Sequence, residues 1–243
     1  HVLIVAGSKG KTGAAFMAAK ACMRAGSGLV TIGVPESLMD VFQSRVTEDM
    51  TLPLPDRGDG TLSSKAIGHI LKFVSEKADV LCIGPGIGVS EDTRSLTAEV
   101  IKSSRAPLVI DADGLNSLSE ASVKGQGAGE IFKKAAAPII LTPHIGEMTR
   151  LMEGARGKGQ GASSRTPDSE LRAKIEQDRI DAAISFSKET GTYLVLKGVP
   201  TIIAGPEGRA FINSTGNPGM ATAGTGDVLT GMIASFIGQG LGP

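Results

Sequence analysis

Apolar residues fall into short unbroken runs, separated by longer stretches in which they recur at helical spacing. The runs 2–6 (VLIVA), 29–33, 50–54, 80–84 (VLCIG), 107–110, 138–141 and 193–196 carry no charge. All read as strands, and VLIVA and VLCIG in particular have the pattern of buried, parallel strands. Between them, 14–25, 35–45, 63–77, 91–104, 130–135 and 171–190 read as amphipathic helices; in the last, Ile175, Ile180, Ala183, Ile184 and Phe186 share roughly one face. Strand–helix–strand alternation predicts right-handed parallel units in one α/β sheet. Towards the end, 201–204 and 209–212 flank GPEG as an antiparallel hairpin, and 228–237 reads as an apolar helix. The polar segment 153–170, rich in Gly, Ser and charge, interrupts the alternation without ending it. It is expected to be a mobile surface loop or insertion, a candidate lid, and not a linker between domains. The whole chain, 1–243, is thus expected to be a single domain.

Charge and composition narrow the function. Lys+Arg and Asp+Glu number 25 each, so the formal net charge is zero and no basic field recruits nucleic acid. One Tyr and no Trp argue against base-stacking platforms. Cys22 and Cys82 lie in apolar runs without metal or CxxC spacing and are expected to be buried and reduced, which suits the cytoplasm. No run approaches the ~20 apolar residues of a membrane span, and no signal peptide opens the chain. His1 directly precedes a strand, so further residues are expected upstream.

Chemistry concentrates in 213–231, NSTGNPGMATAGTGDVLTG, where Gly216, Gly219, Gly224 and Gly226 lead into Asp227 and an apolar helix. Glycines let the backbone approach a ligand, and a helix N-terminus favours an anion, most naturally a phosphate. A carboxylate beside a phosphate is repelled, so Asp227 needs a reason to be there. It is either a general base acting on a substrate hydroxyl or a helix-start residue offsetting the dipole; the glycine array favours the base. Loop 7–13 (GSKGKTG) is not a P-loop, because Val5 stands where the first glycine belongs. GPGIG at 84–88, DADGLN at 111–116 and TPHIGEM at 142–148 each follow a strand, where α/β sheets bind ligands. Asp113 and Asn116 read as site-mouth residues, with Asp113 alternatively a helix cap, and Asp111 with Asp113 could hold Mg²⁺ through waters. Lys197 ends a buried strand, where its charge needs an anionic partner.

Together GPGIG, DADGLN, TPHIGEMTRL (142–151), KGVPT (197–201) and GNPGMATAGTGDVLTG (216–231) resemble the motifs of the ADP/ATP-dependent NAD(P)H-hydrate dehydratases of the ribokinase-like superfamily. The resemblance runs from VLIVAGS at 2–8 through the last helix. It implies a three-layer α/β/α sandwich with a mostly parallel sheet and an antiparallel edge hairpin. The implied activity is nucleotide-dependent dehydration of (6S)-NADHX or (6S)-NADPHX, with Mg²⁺ and with ADP or ATP as co-substrate; the sequence does not choose between them, and similarity to bacterial members leans to ADP. Carried over by residue, Asp227 is the base, and Gly224, Thr225 and Gly226 offer N–H groups to the transferring phosphoryl group. Ala14, Gly88, Asp113, His144 and Asp227 would contact the hydrated cofactor. Lys197, Gly198, Val199, Pro200, Thr201, Asn217 and Gly226 would bind the nucleotide, and Glu147 would order Mg²⁺ through water. Thr12, Gly13 and Ala14 match the family, whereas Lys11 stands where it often carries an aromatic.

With no β-lid insertion of the sugar-kinase kind, the resemblance further implies a homo-oligomer. Domains of this family stand alone or follow an epimerase domain. Two other readings share the glycine machinery: a hydroxyethylthiazole- or hydroxymethylpyrimidine-type kinase, and a non-catalytic nucleotide-binding regulator.

Overall fold

The wholly apolar, fully buried Val2–Val5 forms β1 and sits inside the sheet. The structure is a computed structural model that describes residues 1–119, 127–155 and 168–243. From β1 the chain runs through α1 (Thr12–Arg24), β2 (Val30–Pro35), a 3₁₀ turn, α2 (Met39–Gln43) and β3 (Met50–Leu54) to one edge. It then crosses to the other side of β1 and adds α3 (Ala66–Lys77), β4 (Val80–Ile83), α4 (Glu91–Ser103), β5 (Leu108–Ile110), α5 (Asp113–Ser119), α6 (Ala128–Lys133) and β6 (Ile139–Leu141). Next come α7 (Ile145–Ala155), α8 (Asp168–Gln177), α9 (Arg179–Thr190), β7 (Tyr193–Leu196), β8 (Thr201–Ala204), β9 (Ala210–Asn213) and α10 (Thr225–Gly238).

The sheet has nine strands in the order β3-β2-β1-β4-β5-β6-β7-β8-β9. β1 to β7 pair in parallel, while β8 and β9 form the antiparallel edge hairpin expected from the sequence. One core layer joins β1 to β8 to helices α3 to α9 through residues such as Leu96, Met148 and Phe186. The opposite layer packs Ala15, Ala18, Ala19 and Cys22 of α1 and Ala234 of α10 on Val2, Ile4, Val80 and Cys82. Both cysteines are buried, and burial pushes the Cys22 thiol up to about 11. No described helix is long and apolar enough to cross a membrane.

Helices α1 and α10 lie unusually close. A Cβ built on Gly231 would stand 2.0 Å from the carbonyl oxygen of Ala18. Helix propensity alone would make Gly231→Ala stabilising by about 1 kcal/mol. Overpacking against backbone costs about 1–3 kcal/mol, so a net loss is expected. A urea titration with a lower midpoint and unchanged slope checks it.

Two predicted helices differ. The 171–190 stretch is two helices, because Asp178 accepts a hydrogen bond from Asp181 N at 2.9 Å and so starts a new one. The 35–45 stretch is a 3₁₀ turn, Glu36–Leu38, followed by the short α2. Of the expected loop 153–170, the first three residues end α7 and the last three begin α8, while 156–167 lie outside the described residues.

Candidate functional site

The chain reverses its direction of winding between β1 and β4, and the loops beyond their C-terminal ends meet there. Gly7 N donates to Pro85 O at 2.8 Å, and Ser8 Oγ to Gly86 O at 2.7 Å. This is the crevice in which α/β sheets bind ligands. Gly84 (φ +130°) brings GPGIG against β5: a Cβ there would lie 1.9 Å from Asp111 O. Ala112 is held at φ 50°, the one non-glycine positive value among the described residues. Strain of this kind gathers at functional sites.

Asp111 sits beneath the crevice at 1% exposure and is the hub of a buried polar cluster. Its Oδ1 accepts from Lys197 Nζ at 2.8 Å and its Oδ2 from Thr230 Oγ1 of α10 at 2.9 Å. Lys197 Nζ also lies 3.8 Å from Glu147 Oε2. The cation expected to need an anionic partner therefore has two. Through this cluster the ends of β5 and β7, the first turn of α7 and the second turn of α10 are tied together.

In the first turn of α7, Glu147 Oε2 accepts from His144 N at 2.9 Å, and Oε1 faces His144 Nε2 at 3.3 Å. His144 Nδ1 accepts from Gly146 N at 3.0 Å, which assigns the neutral ring's proton to Nε2. Burial pushes the Glu147 carboxyl up, but the His144 hydrogen bonds and the Lys197 charge outweigh it and hold the group below the usual carboxylate range.

α10 begins at Thr225 behind Gly224, which is left-handed at φ +90°. Thr225 N bonds Thr222 O, whereas Gly226 N and Asp227 N find no acceptor among the described residues. Two N–H groups are thus free for an anion. A Cβ on Gly226 would lie 3.4 Å from Lys197 Nζ and 3.6 Å from Asp111 Oδ2, so this turn rests directly on the buried cluster. Asp227 is half-buried, and burial first, then the nearby Asp111 charge, raises its carboxyl above the usual range against the opposing pull of Lys197. The arrangement offers N–H groups and an ammonium to a phosphate, with a proton acceptor beside them.

Across the crevice Asp113 starts α5, and its Oδ2 accepts from Gly88 N and from Lys11 Nζ, both at 2.9 Å. Asp111 and Asp113 therefore face different partners and do not form the carboxylate pair expected for Mg²⁺. Lys11, the departure from the family pattern, bridges the β1 and β5 loops. Asn116 Oδ1 accepts from Arg150 at 2.9 Å. Ala14, in the first turn of α1, lies against the GPGIG loop: a Cβ on Gly86 would be 3.2 Å from its Cβ.

The remaining expected residues lie along an exposed rim. Val199 is 76% exposed, Pro200 and Gly198 share its turn, and Thr201 Oγ1 donates to Gly198 O at 3.1 Å. Asn217 caps a 3₁₀ turn by accepting from Gly219 N at 2.9 Å and touches none of the groups above. The sequence reading missed Thr230 and paired Asp111 with Asp113, where the structure pairs it with Lys197 and Thr230. Asp111 is 86 residues from Lys197 and 119 from Thr230, and no local pattern links them.

A model of the NAD(P)H-hydrate dehydratase family matches residues 2–243. The bifunctional NAD(P)H-hydrate repair enzyme Nnr of Moorella thermoacetica is 42% identical over 243 residues, covering 100% of this chain and 41% of that protein. This chain thus spans about two fifths of the bifunctional relatives it matches. The ADP-dependent (S)-NAD(P)H-hydrate dehydratase of Xanthomonas campestris is 30% identical over 241 residues, 99% of this chain and 73% of that one. Among solved structures, the ADP/ATP-dependent NAD(P)H-hydrate dehydratase from Bacillus subtilis, co-crystallised with ATP/Mg²⁺ and soaked with CoA, matches with a TM-score of 0.70. Its identity is 29%, over 98% of this chain and 73% of that chain. The ribokinase-like sandwich expected from the sequence is the architecture observed.

Proposed function

The chain belongs to the NAD(P)H-hydrate dehydratase family, and on that premise we propose that it restores damaged nicotinamide cofactor by nucleotide-dependent dehydration. The carrying observation is the half-buried, hard-to-ionise Asp227, set between unpartnered helix N–H groups and the Lys197–Asp111 pair. Anion binding alone has no use for that carboxylate. Asp227 takes the proton of the C6 hydroxyl of (6S)-NADHX or (6S)-NADPHX as its oxygen attacks the terminal phosphoryl group of ADP or ATP. The N–H groups at Gly224 and Gly226 receive the charge that develops on that group, each donor worth about 10²–10³ in rate, whereas Thr225 N, expected from the sequence to join them, is already bonded to Thr222 O. Hydroxide leaves poorly and phosphate well, so departure of phosphate with the C5 proton regenerates NADH or NADPH.

The nucleotide lies on the exposed rim, against Lys197 to Thr201 and Asn217, with Lys197 passing from its carboxylates towards a phosphate. The hydrated nicotinamide faces Ala14, Gly88, Asp113 and His144. Among the described residues no three His, Cys, Asp or Glu side chains converge on a metal position. Mg²⁺ usually keeps most of its waters and binds chiefly through substrate phosphates, a habit that a single carboxylate such as Glu147 fits. Glu147 would hold it through water, and the ion would neutralise phosphate charge. A single domain over 1–243, a homo-oligomer, cytoplasmic placement and an epimerase on the same or a separate chain complete the proposal.

The test is a phosphate balance. One free phosphate per NADH formed is expected, with no accumulating phosphomonoester in ³¹P NMR. A stable phosphomonoester would make the protein a small-molecule kinase, and nucleotide binding without turnover a regulator.

A further inference from the structure

Arg179 is a charge for which the fold gives no reason. It opens α9, where the positive end of the helix dipole disfavours a cation, and Asp178 beside it accepts from Asp181 N instead of answering the guanidinium. A guanidinium has only donors to offer and cannot shed its proton, so in a folded protein it needs carboxylates or carbonyls around it. Among the described residues Arg179 forms no ion pair, and its one hydrogen bond is long, from Nη2 to Leu196 O at 3.4 Å. Nε is buried without a partner. Burial pulls the group below its usual range with nothing opposing it, as expected of a cation held in place without the anion that would offset its desolvation.

Its position supplies the reason. Leu196 ends β7, and the turn 197–201 follows on the exposed rim. In that turn Lys197 points to Asp111, whereas Gly198 aims the place of its absent side chain at Arg179. A Cβ there would lie 2.4 Å from Nη2, 2.9 Å from Cζ and 3.1 Å from Nη1, so the guanidinium lies along the Gly198 backbone and any side chain at 198 would push it away. Two cations thus flank one exposed residue of the rim.

We propose that Arg179 is a nucleotide-binding residue: with nucleotide along this rim, its Nη groups donate to a phosphate oxygen on the opposite side of Gly198 from Lys197. The assignment rests on the reading that 197–201 holds the nucleotide, and it adds to that segment a residue from another element. The planar fork suits a phosphate, which accepts two parallel N–H···O bonds from it. Lys197 meets the nucleotide with its charge already answered by Asp111 and Glu147. Arg179 brings a charge that no described residue answers, and so adds more to the net attraction for a polyanion.

Arg179→Met keeps an apolar stem against the turn and removes the charge. Affinity for ADP, measured by isothermal titration on the full chain, should fall on the order of 10-fold or more, as for loss of a charge-assisted hydrogen bond. Arg179→Lys should recover only part of it, because an ammonium lacks the fork. Adenosine, which keeps the nucleoside and lacks the phosphates, should bind wild type and Arg179→Met alike. The urea midpoint of Arg179→Met should be unchanged or higher, since an unpaired charge has left a helix start. A residue that only braces the turn would behave in the opposite way, its loss lowering the urea midpoint and weakening ADP and adenosine equally. That result would overturn the proposal, as would an ADP affinity indifferent to the substitution. Wild type that binds ADP in this Arg179-dependent way yet regenerates no NADH would leave the proposal standing and bring down the dehydration, whereas wild type that binds no ADP would bring down both.

Discussion

Asp227→Asn is expected to lower turnover by about 10²–10⁴-fold, the usual worth of a positioned general base, while nucleotide affinity stays largely intact. The same change is expected to stabilise the fold at neutral pH. Burial and the Asp111 charge raise the Asp227 carboxyl above its ordinary value. Between the ordinary and the raised value the folded protein holds a proton that the unfolded chain has released, so stability falls as pH rises through that window. Removing the charge removes the loss. The variant should therefore unfold at a higher temperature than wild type at neutral pH, with the gain vanishing in acid where both carry no charge there. In the wild type, the acid limb of kcat/KM should lie above the ordinary carboxylate range. A variant with wild-type turnover would end the base assignment.

The second large effect falls on Asp111. Asp111→Ala strands Lys197 and Thr230 below the crevice, and breaking a buried pair from one side costs about 3–5 kcal/mol. We expect the lower end, because Lys197 is 21% exposed and keeps Glu147 at 3.8 Å. Activity should fall as well, since the Gly226 turn rests on this pair. A Lys197→Met change added to Asp111→Ala should recover part of the stability but none of the activity. Chemical unfolding of the two variants separates structural from functional loss. Equal stability of Asp111→Ala and wild type would contradict the hub role.

Much of this was legible because it is local. Unbroken apolar runs announce the fully buried strands β1, β4, β5 and β6, although the equally apolar run of β3 lies largely exposed at the sheet edge, and a glycine array running into a helix announces an anion site. The same logic explains what stayed hidden. Thr230 looked like filler in an apolar helix, and only folding carries its hydroxyl to Asp111. The break at Asp178 had a capping residue to mark it, but the amphipathic stripe continued across the break and masked it. Asp111 and Asp113, two residues apart, read as a natural pair. The strained backbone at Ala112 turns one down into the protein and the other out towards Lys11.

The most direct test of the account is to mix the protein with NADHX and Mg²⁺, add ADP or ATP in parallel, and follow the absorbance of reduced nicotinamide. A rise that depends on nucleotide and is lost in Asp227→Asn is the predicted result, and the nucleotide that drives it names the phosphate donor. Folded protein that produces no rise with either nucleotide would contradict the proposed dehydration.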